Sequence, residues 1–275
     1  DSNTTGIDNV AIGLDALQAN TTADSNVAIG RTALQGNTTG TANVAVGRNA
    51  LLSNTTASNN VAIGRNTLYT NTTGTSNTGV GHKALTGNTT GEGNLAIGHV
   101  ALGSNTTGNN NTANGNEALY SNTTGVENTA SGAFALYLNT TGNGNVANGF
   151  QALFSNTTGA QNTAVGYQAS YQNTTGASNT FLGEQSGFWN TTGSQNTAVG
   201  SDAYAANNTT TGTNNVAVGF AAFAASTTGS NNTAVGMNSL KATSTGGSNV
   251  AIGGSALTAN TTASNNTAVG GDALA

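Results

Sequence analysis

The chain has 275 residues and a net charge of −5, and only 5 % of its residues are charged. This balance argues against nucleic acid and anionic membranes as partners, and no apolar run approaches the roughly 18 residues of a membrane span, so no membrane insertion is predicted. The sequence has no cysteine, which excludes disulfides, thiol catalysis and cysteine-based metal sites.

An asparagine recurs every 17 residues and divides almost the whole chain into copies of the unit N-[VT]-A-[VI]-G-x-x-A-L-x-x-N-T-T-G-x-x. We number positions within each unit from this anchor asparagine. The spacing changes once, where two residues are inserted around Asn207 and Asn208. A fixed period of this length is typical of a solenoid, in which each coil buries its apolar face against its neighbours. The anchors are Asn9, Asn26, Asn43, Asn60, Asn77, Asn94, Asn111, Asn128, Asn145, Asn162, Asn179, Asn196, Asn215, Asn232, Asn249 and Asn266.

Two short segments alternate along each unit. The first, N-[VT]-A-[VI], is β-branched with a period of two, which predicts a strand. The second, A-L-x-x, is too short for a helix that is stable by itself and is interpreted as a second strand or a single helical turn. The sequence therefore predicts an all-β parallel β-solenoid (β-roll) of about 16 coils, with 17 residues and two short strands per coil. Residues 1–275 are expected to form a single repeat domain.

Side chains alternate between the two faces of a strand, which predicts the repeat positions that are buried. We call the residues at one repeat position in successive coils a column. The fourth position, as in Ile12, and the leucine column, as in Leu17, are expected to form the core. The alanines of the third position and those preceding leucine would then point outward and form a flat apolar face for another protomer. In three consecutive coils the fourth position is polar, which predicts an internal polar ladder or a bend. These residues are Asn114, Ser131 and Asn148.

Glycine occupies the fifth position of every coil, from Gly13 to Gly270. A column that admits no side chain indicates positive φ or a backbone approached too closely for a Cβ. The glycine after NTT is replaced in some coils by alanine, as at Ala23, Ala57 and Ala263. That position is expected to have little space but no positive φ.

The anchor asparagine and the NTT corner are expected to form ladders of side-chain amides and hydroxyls along the solenoid. Each NTT is also an N-x-[ST] acceptor for N-glycosylation, and both interpretations are retained. The corner asparagines concerned include Asn20, Asn37, Asn54, Asn71 and Asn88.

The sixth position carries a basic stripe in five successive coils, consisting of Arg31, Arg48, Arg65, His82 and His99. Like charges at the spacing of one coil repel each other, so an anionic partner or lateral carboxylates would explain the stripe. Alternatively, the side chains fan out into solvent. The two histidines have no neighbouring carboxylates, and no metal site is predicted.

The tenth position carries an aromatic ladder, which is a candidate contact surface for sugars or for another protein. The alternatives are a covered interface between chains, or stacking that stiffens the solenoid. The residues are Tyr120, Tyr137, Phe154, Tyr171, Phe188 and the adjacent Trp189.

Catalytic residues are not apparent. The ten acidic residues are scattered, and no carboxylate pair recurs at one place on the coil. No Ser-His-Asp arrangement, phosphate-binding loop or metal motif is found, so no enzymatic activity and no cofactor are predicted.

The segments NVAIGRTAL and NTAVGYQA resemble the head repeats of YadA-like trimeric autotransporter adhesins and the NTTG-rich repeats of tail-fibre proteins. The resemblance covers almost every coil. It implies a left-handed parallel β-roll, an extracellular or cell-surface location, and a homotrimer with an adhesive or structural role.

The sequence therefore predicts a structural protein of an extracellular fibre or filament, with adhesion to glycans or a host surface as a further role. Uncapped repeats at Asp1 and Ala275 lead us to expect continuation into more repeats or head-to-tail packing of another copy. The alternative is an ice-binding solenoid that presents threonine columns. Its candidate residues at the second position are Thr78, Thr112, Thr129 and Thr163.

Overall fold

A computed structural model describes residues 2–206 and 209–275. Asp1 and the predicted insertion at Asn207 and Asn208 lie outside the described residues. The chain divides into two compact units, unit 1 (Asp1–Thr141) and unit 2 (Gly142–Ala275). The described residues contain sixteen parallel strands and no helix, which confirms the all-β solenoid.

Each unit contains eight strands of three residues. Unit 1 contains β1 (Val10–Ile12), β2 (Val27–Ile29), β3 (Val44–Val46), β4 (Val61–Ile63), β5 (Thr78–Val80), β6 (Leu95–Ile97), β7 (Thr112–Asn114) and β8 (Thr129–Ser131). Unit 2 contains β9 (Val146–Asn148), β10 (Thr163–Val165), β11 (Thr180–Leu182), β12 (Thr197–Val199), β13 (Val216–Val218), β14 (Thr233–Val235), β15 (Val250–Ile252) and β16 (Thr267–Val269).

Within each unit, successive strands pair in parallel and in register. Ala28 of β2 pairs with Ala45 of β3, one repeat later, and Ala234 of β14 pairs with Ala251 of β15. Equivalent repeat positions therefore lie beside one another at the usual strand spacing of about 4.8 Å. The predicted coil of 17 residues is confirmed.

The prediction of a second strand in each coil is wrong. The A-L-x-x segment and the residue before it form turns, because the backbone there alternates into the left-handed region, with φ of 57° at Thr32 and 51° at Leu34. Such residues can extend neither a strand nor a right-handed helix. They still bond to adjacent coils, since the Thr32 amide donates to the Leu14 carbonyl (2.9 Å) and the Leu34 amide to the Ala50 carbonyl (3.0 Å). These bonds offset the roughly 1–2 kcal/mol that a left-handed conformation costs a leucine.

The predicted assignment of the strand faces is inverted. From β2 to β16 the middle residue is buried, whereas its two neighbours are half-buried or exposed. In β2, Ala28 is inaccessible to solvent while Val27 and Ile29 face outward. The alanine before leucine is buried as well, as at Ala33, so the expected outer alanine face does not exist.

The interior of the coil explains this inversion. The leucine column is buried as predicted, and Leu34 and Leu51 occupy its centre. Small alanines then fill the remaining space between the strand and the opposite turn, where larger side chains would overpack the interior. The polar residues of the fourth position also lie outside, with Asn114 and Asn148 exposed and Ser131 half-buried. They form no internal ladder.

Both glycine predictions agree with the backbone. Gly47, at the fifth position, has φ of 131°, and a Cβ there would lie 2.7 Å from the carbonyl carbon of Gly64 in the next coil. Positive φ and close approach therefore act together at this column. Ala23 and Ala57 after NTT are buried and have no positive φ.

In unit 2, three aromatic side chains enter the core: Phe181 replaces a third-position alanine, and Tyr204 and Phe223 stand in the leucine column. Tyr204 lies between Phe181 and Phe223, with ring centroids 6.2 and 5.6 Å apart, and all three are buried. The Tyr204 hydroxyl donates to the Gly212 carbonyl (3.0 Å). Burial raises the pKa of Tyr204 to about 12, against the opposing effect of hydrogen bonds with Asn215 and Thr210.

Candidate functional site

The anchor asparagines form a buried ladder between coils. The Asn43 Oδ1 accepts hydrogen bonds from the Asn60 backbone amide (3.0 Å) and from the Asn60 Nδ2 (3.3 Å). The Asn43 Nδ2 in turn donates to the Ala57 carbonyl at 2.9 Å. Unit 2 repeats the pattern, with the Asn162 Oδ1 accepting from the Asn179 amide and side chain. The predicted anchor ladder is confirmed.

A second ladder runs through the asparagines of the NTT corner. The Asn54 Nδ2 donates to the Asn37 Oδ1 and to the Ala57 carbonyl, both at 2.9 Å. The Ala57 carbonyl thus accepts from both ladders and connects them. The five predicted corner residues are all buried: Asn20, Asn37, Asn54, Asn71 and Asn88.

This geometry distinguishes the two interpretations of the NTT sites. N-linked glycans are attached through the asparagine Nδ2, and in Asn54, Asn71 and Asn88 both hydrogens of this nitrogen donate within the protein. A glycan would break one of these bonds and would need space that the buried corner does not contain. The predicted ladder is what the folded coil contains at these positions.

The two threonines of NTT have different roles. The first donates its hydroxyl to a backbone carbonyl of the next coil, as from Thr38 to Thr55 (3.0 Å) and from Thr89 to Thr106 (2.9 Å). The second is exposed, and in unit 1 the following side-chain hydroxyls make no hydrogen bond within the described chain. These are Thr22, Thr39, Thr56, Thr73, Thr90 and Thr107. An uninterrupted column of free hydroxyls therefore lies at this corner of unit 1.

The basic stripe lies on one side of unit 1, immediately after the strands. Arg31, Arg48, Arg65 and His99 are exposed, and His82 is half-buried. Lys83, which the sequence analysis missed, is exposed beside His82 at the seventh position. We call Arg31, Arg48, Arg65, His82, Lys83 and His99 together the basic strip.

His82 connects its two neighbours in the basic strip, Arg65 and His99. Arg65 Nε and Nη2 lie 3.3 and 3.1 Å from the His82 Nε2, and the His82 and His99 rings are 5.3 Å apart. Desolvation lowers the pKa of His82, and the charges of Arg65, His99 and Lys83 lower it further. His82 therefore accepts the Arg65 hydrogen bond in its neutral form.

The aromatic ladder is stacked within each unit. In unit 1 the rings of Tyr120 and Tyr137 are 5.3 Å apart and 12° from parallel. In unit 2, Tyr171 stacks on Phe154 (5.0 Å) and on Phe188 (5.1 Å), and Trp189 meets Phe188 edge-on. Stacked rings cover one another's faces and leave mainly their edges to solvent. This arrangement favours the stiffening role over a platform on which sugar rings would stack.

A further aromatic pair lies at the sixth position in unit 2, where the Phe150 and Tyr167 rings are 5.7 Å apart. The sequence analysis missed it because it compared aromatic residues only at the tenth position. Tyr167 is 48 % exposed, so this pair is more accessible than the buried Tyr204 stack.

The outer face of the strands of unit 1 is apolar. The second and fourth positions of the repeat, which are the first and third residues of β1 to β6, are all Val, Ile or Leu apart from Thr78. They are half-buried or exposed, with Ile63 at 41 % and Ile97 at 39 %. We call this double row the apolar face.

Among the described residues, no group of three or more His, Asp or Glu side chains is placed to hold a metal ion. No helix long and apolar enough to cross a membrane occurs in the part of the chain that the structure describes.

Comparison with known proteins gives no family. The sequence matches no protein-family model, and it matches no curated protein.

Proposed function

We propose that the protein is a structural component of an extracellular fibre, in which chains associate laterally through the apolar face. The observation that carries this proposal is the double row of Val, Ile and Leu side chains, interrupted only by Thr78, on the outside of β1 to β6. Contiguous apolar patches on a protein surface mark sites of association. The apolar face bears no charged residue.

A second copy of the chain fits this surface best. The rows repeat at the strand spacing of about 4.8 Å, and only another solenoid of the same kind presents matching rows. Full burial of one aliphatic side chain contributes roughly 1.5–3 kcal/mol, and each partly exposed residue would add a fraction of that. The contact recurs in every coil from β1 to β6, so small contributions accumulate.

The resemblance of NVAIGRTAL to adhesin head repeats supports an extracellular or cell-surface location, a homotrimer and a role in adhesion. Under this proposal the main partners are other copies of the chain. Glycans or a host surface are further partners of the assembled fibre. Head-to-tail packing would extend the fibre, because each coil presents strand hydrogen-bonding groups to the next.

The double variant Ile29→Asp, Ile63→Asp should convert the oligomer to a monomer. Both side chains point outward on the apolar face, so the carboxylates would repel the matching carboxylates of a neighbouring chain without disturbing the coil interior. Sedimentation velocity on the full chain measures the change, and circular dichroism verifies that the fold is kept.

The matched control is Thr39→Asp, Thr73→Asp, which adds the same charges to the exposed corner of the same two coils. It should sediment like the unmodified oligomer. An unmodified chain that is monomeric at all accessible concentrations would contradict lateral association.

The free threonine column supports ice binding as a second candidate function. The second-position threonines on which the sequence analysis relied alternate with valine, whereas the corner column is unbroken in unit 1. Thr39, Thr56 and Thr73 are exposed, and their hydroxyls are free of intrachain hydrogen bonds. Hydroxyls held at one fixed spacing on a rigid backbone could order water molecules into a lattice.

If the column binds ice, the chain should show thermal hysteresis, and Thr56→Tyr, Thr90→Tyr should abolish it by interrupting the regular spacing. The control is Leu52→Tyr, Thr86→Tyr at the tenth position of the same coils, where Tyr69 shows that tyrosine is accepted. Nanolitre osmometry measures both variants. Ice binding would be excluded if the unmodified chain shows no thermal hysteresis. It would also be excluded if the hysteresis survives in the Thr56→Tyr, Thr90→Tyr variant.

A further inference from the structure

The few cations of the chain are concentrated in the basic strip. The sequence has five Lys and Arg residues, and all except Lys241 of unit 2 belong to the strip. Asp24 and Glu92 precede β2 and β6 whereas the strip follows the strands, and the seventh-position carboxylates Asp15 and Glu117 lie in the coils that flank the strip rather than within it. A nearly uncharged protein thus has one strongly basic surface.

The charges of the basic strip are not neutralised within the described chain. The guanidinium groups of Arg31 and Arg48 make neither a hydrogen bond nor an ion pair there, and Arg65 contacts His82, which is itself a base. Arginine guanidinium groups are suited to bidentate pairing with carboxylates. Arg31 and Arg48, in successive coils, are therefore free to bind an external anion, and Arg65 lies beside them in the following coil.

The basic strip has a fixed spacing and an ordered neighbour. Arg31, Arg48 and Arg65 follow β2, β3 and β4, which pair in register, so their backbones repeat at about 4.8 Å. Beside them the Thr32 hydroxyl donates to the Asn49 Oδ1 (2.6 Å), and the Asn49 Nδ2 donates to the Asn66 Oδ1 (2.8 Å). This neutral ladder holds the turns in place and adds no competing charge.

We propose that the basic strip binds a linear acidic polysaccharide of the polyuronate class, with successive carboxylates on successive coils. A 1,4-linked uronic acid chain carries one carboxylate per sugar ring, and the length of one ring is close to the spacing of the coils. Duplex DNA presents a phosphate about every 3.4 Å along each strand, which does not match this spacing. The strip is narrow and lies beside the outer strand face, so polysaccharide binding does not depend on lateral association.

The test uses a fluorescently labelled, fully de-esterified oligogalacturonate at least as long as the basic strip, titrated with the full chain. Fluorescence anisotropy should show saturable binding that weakens as salt is raised, because exposed charges are screened. The methyl-esterified oligomer of the same length should not bind, since esterification removes the carboxylates and keeps the sugars.

The variant Arg31→Gln, Arg48→Gln, Arg65→Gln should weaken binding by about tenfold or more, because it removes the three charge-assisted contacts. The matched control, Lys241→Gln, removes the cation that lies outside the basic strip and should change the affinity by less than about twofold. All substituted side chains are exposed, so both variants should retain the fold, which circular dichroism verifies.

Single-stranded DNA and phosphatidylserine vesicles complete the experiment as alternative polyanions. Weaker binding to both than to the oligogalacturonate supports the proposal. Tighter binding to either one, undiminished binding in the triple arginine variant, or equal binding of the esterified oligomer would overturn it.

Discussion

Replacing Asn60 by aspartate should lower the free energy of unfolding of unit 1 by about 3–5 kcal/mol at neutral pH, as expected for an uncompensated buried charge. The Asn60 Nδ2 donates to the Gly74 carbonyl (3.0 Å) and to the Asn43 Oδ1 (3.3 Å) in a site closed to solvent. Aspartate has the same shape but would place an anionic oxygen against both acceptors. Urea denaturation followed by circular dichroism measures the loss.

The same substitution should make stability depend on pH in a defined direction. Burial would raise the pKa of the new carboxyl in the folded chain above its unfolded value of about 3.9. The unfolded chain would then release its proton first, so stability falls as pH rises from about 4 to the folded pKa. Compared with the unmodified chain at each pH, the deficit should be smallest below about pH 4.

Asn59→Asp is the matched control, because Asn59 is the adjacent residue and its side chain is exposed. Its φ of 62° suits aspartate as well as asparagine. The expected change is within about 0.5 kcal/mol. Equal stability of the two variants would contradict a structural role for the anchor ladder.

The features of the fold that depend on the repeat were predictable from sequence. A constant spacing of Asn43 and Asn60 requires equivalent residues to lie beside one another, and the invariant fifth glycine requires an unusual backbone. Asparagine side-chain amides that recur at one buried position of every coil can form hydrogen bonds with one another only from coil to coil. Register, glycine geometry and the asparagine ladders follow from these constraints.

The inward and outward faces of the strand were not predictable from hydrophobicity alone. Valine and isoleucine are more apolar than alanine, so a comparison of apolar character places Ile29 inside and Ala28 outside. The narrow coil reverses this choice, because the leucine column already fills its centre. The sequence contained one usable signal: the fourth position exchanges Val and Ile for Asn114 and Ser131, an exchange that a solvent-accessible column tolerates more readily than an apolar core.

The turns after the strand were missed for a different reason. Positive φ at Leu34 and Leu51 is imposed by hydrogen bonds to the adjacent coils, and leucine itself gives no indication of it. The basic strip could likewise be predicted only in part. The repeat spacing predicts that its residues form a row, but it does not predict which groups their side chains contact. Only the structure shows that Arg65 contacts His82 and that Arg31 and Arg48 have no carboxylate partner within the described chain.

Gly236→Ala should destabilise unit 2 by about 2–6 kcal/mol, since it combines backbone strain with overpacking. The φ of Gly236 is 127°, and a Cβ there would lie 2.6 Å from the carbonyl carbon and oxygen of Gly253 in the next coil. The two coils cannot move apart without breaking the bond from the Gly253 amide to the Val235 carbonyl (2.8 Å). The loss should appear as a lower midpoint in thermal and urea denaturation.

Gly254→Ala provides the comparison within the same unit. Gly254 has no positive φ, and nothing lies within 4 Å of the position of its Cβ. Alanine should therefore leave the stability within about 1 kcal/mol of the original, or raise it slightly by restricting the unfolded chain. If Gly236→Ala and Gly254→Ala unfold at the same midpoint, the fifth-position glycine is not required by the close approach of successive coils, and the conformation assigned to that column is wrong.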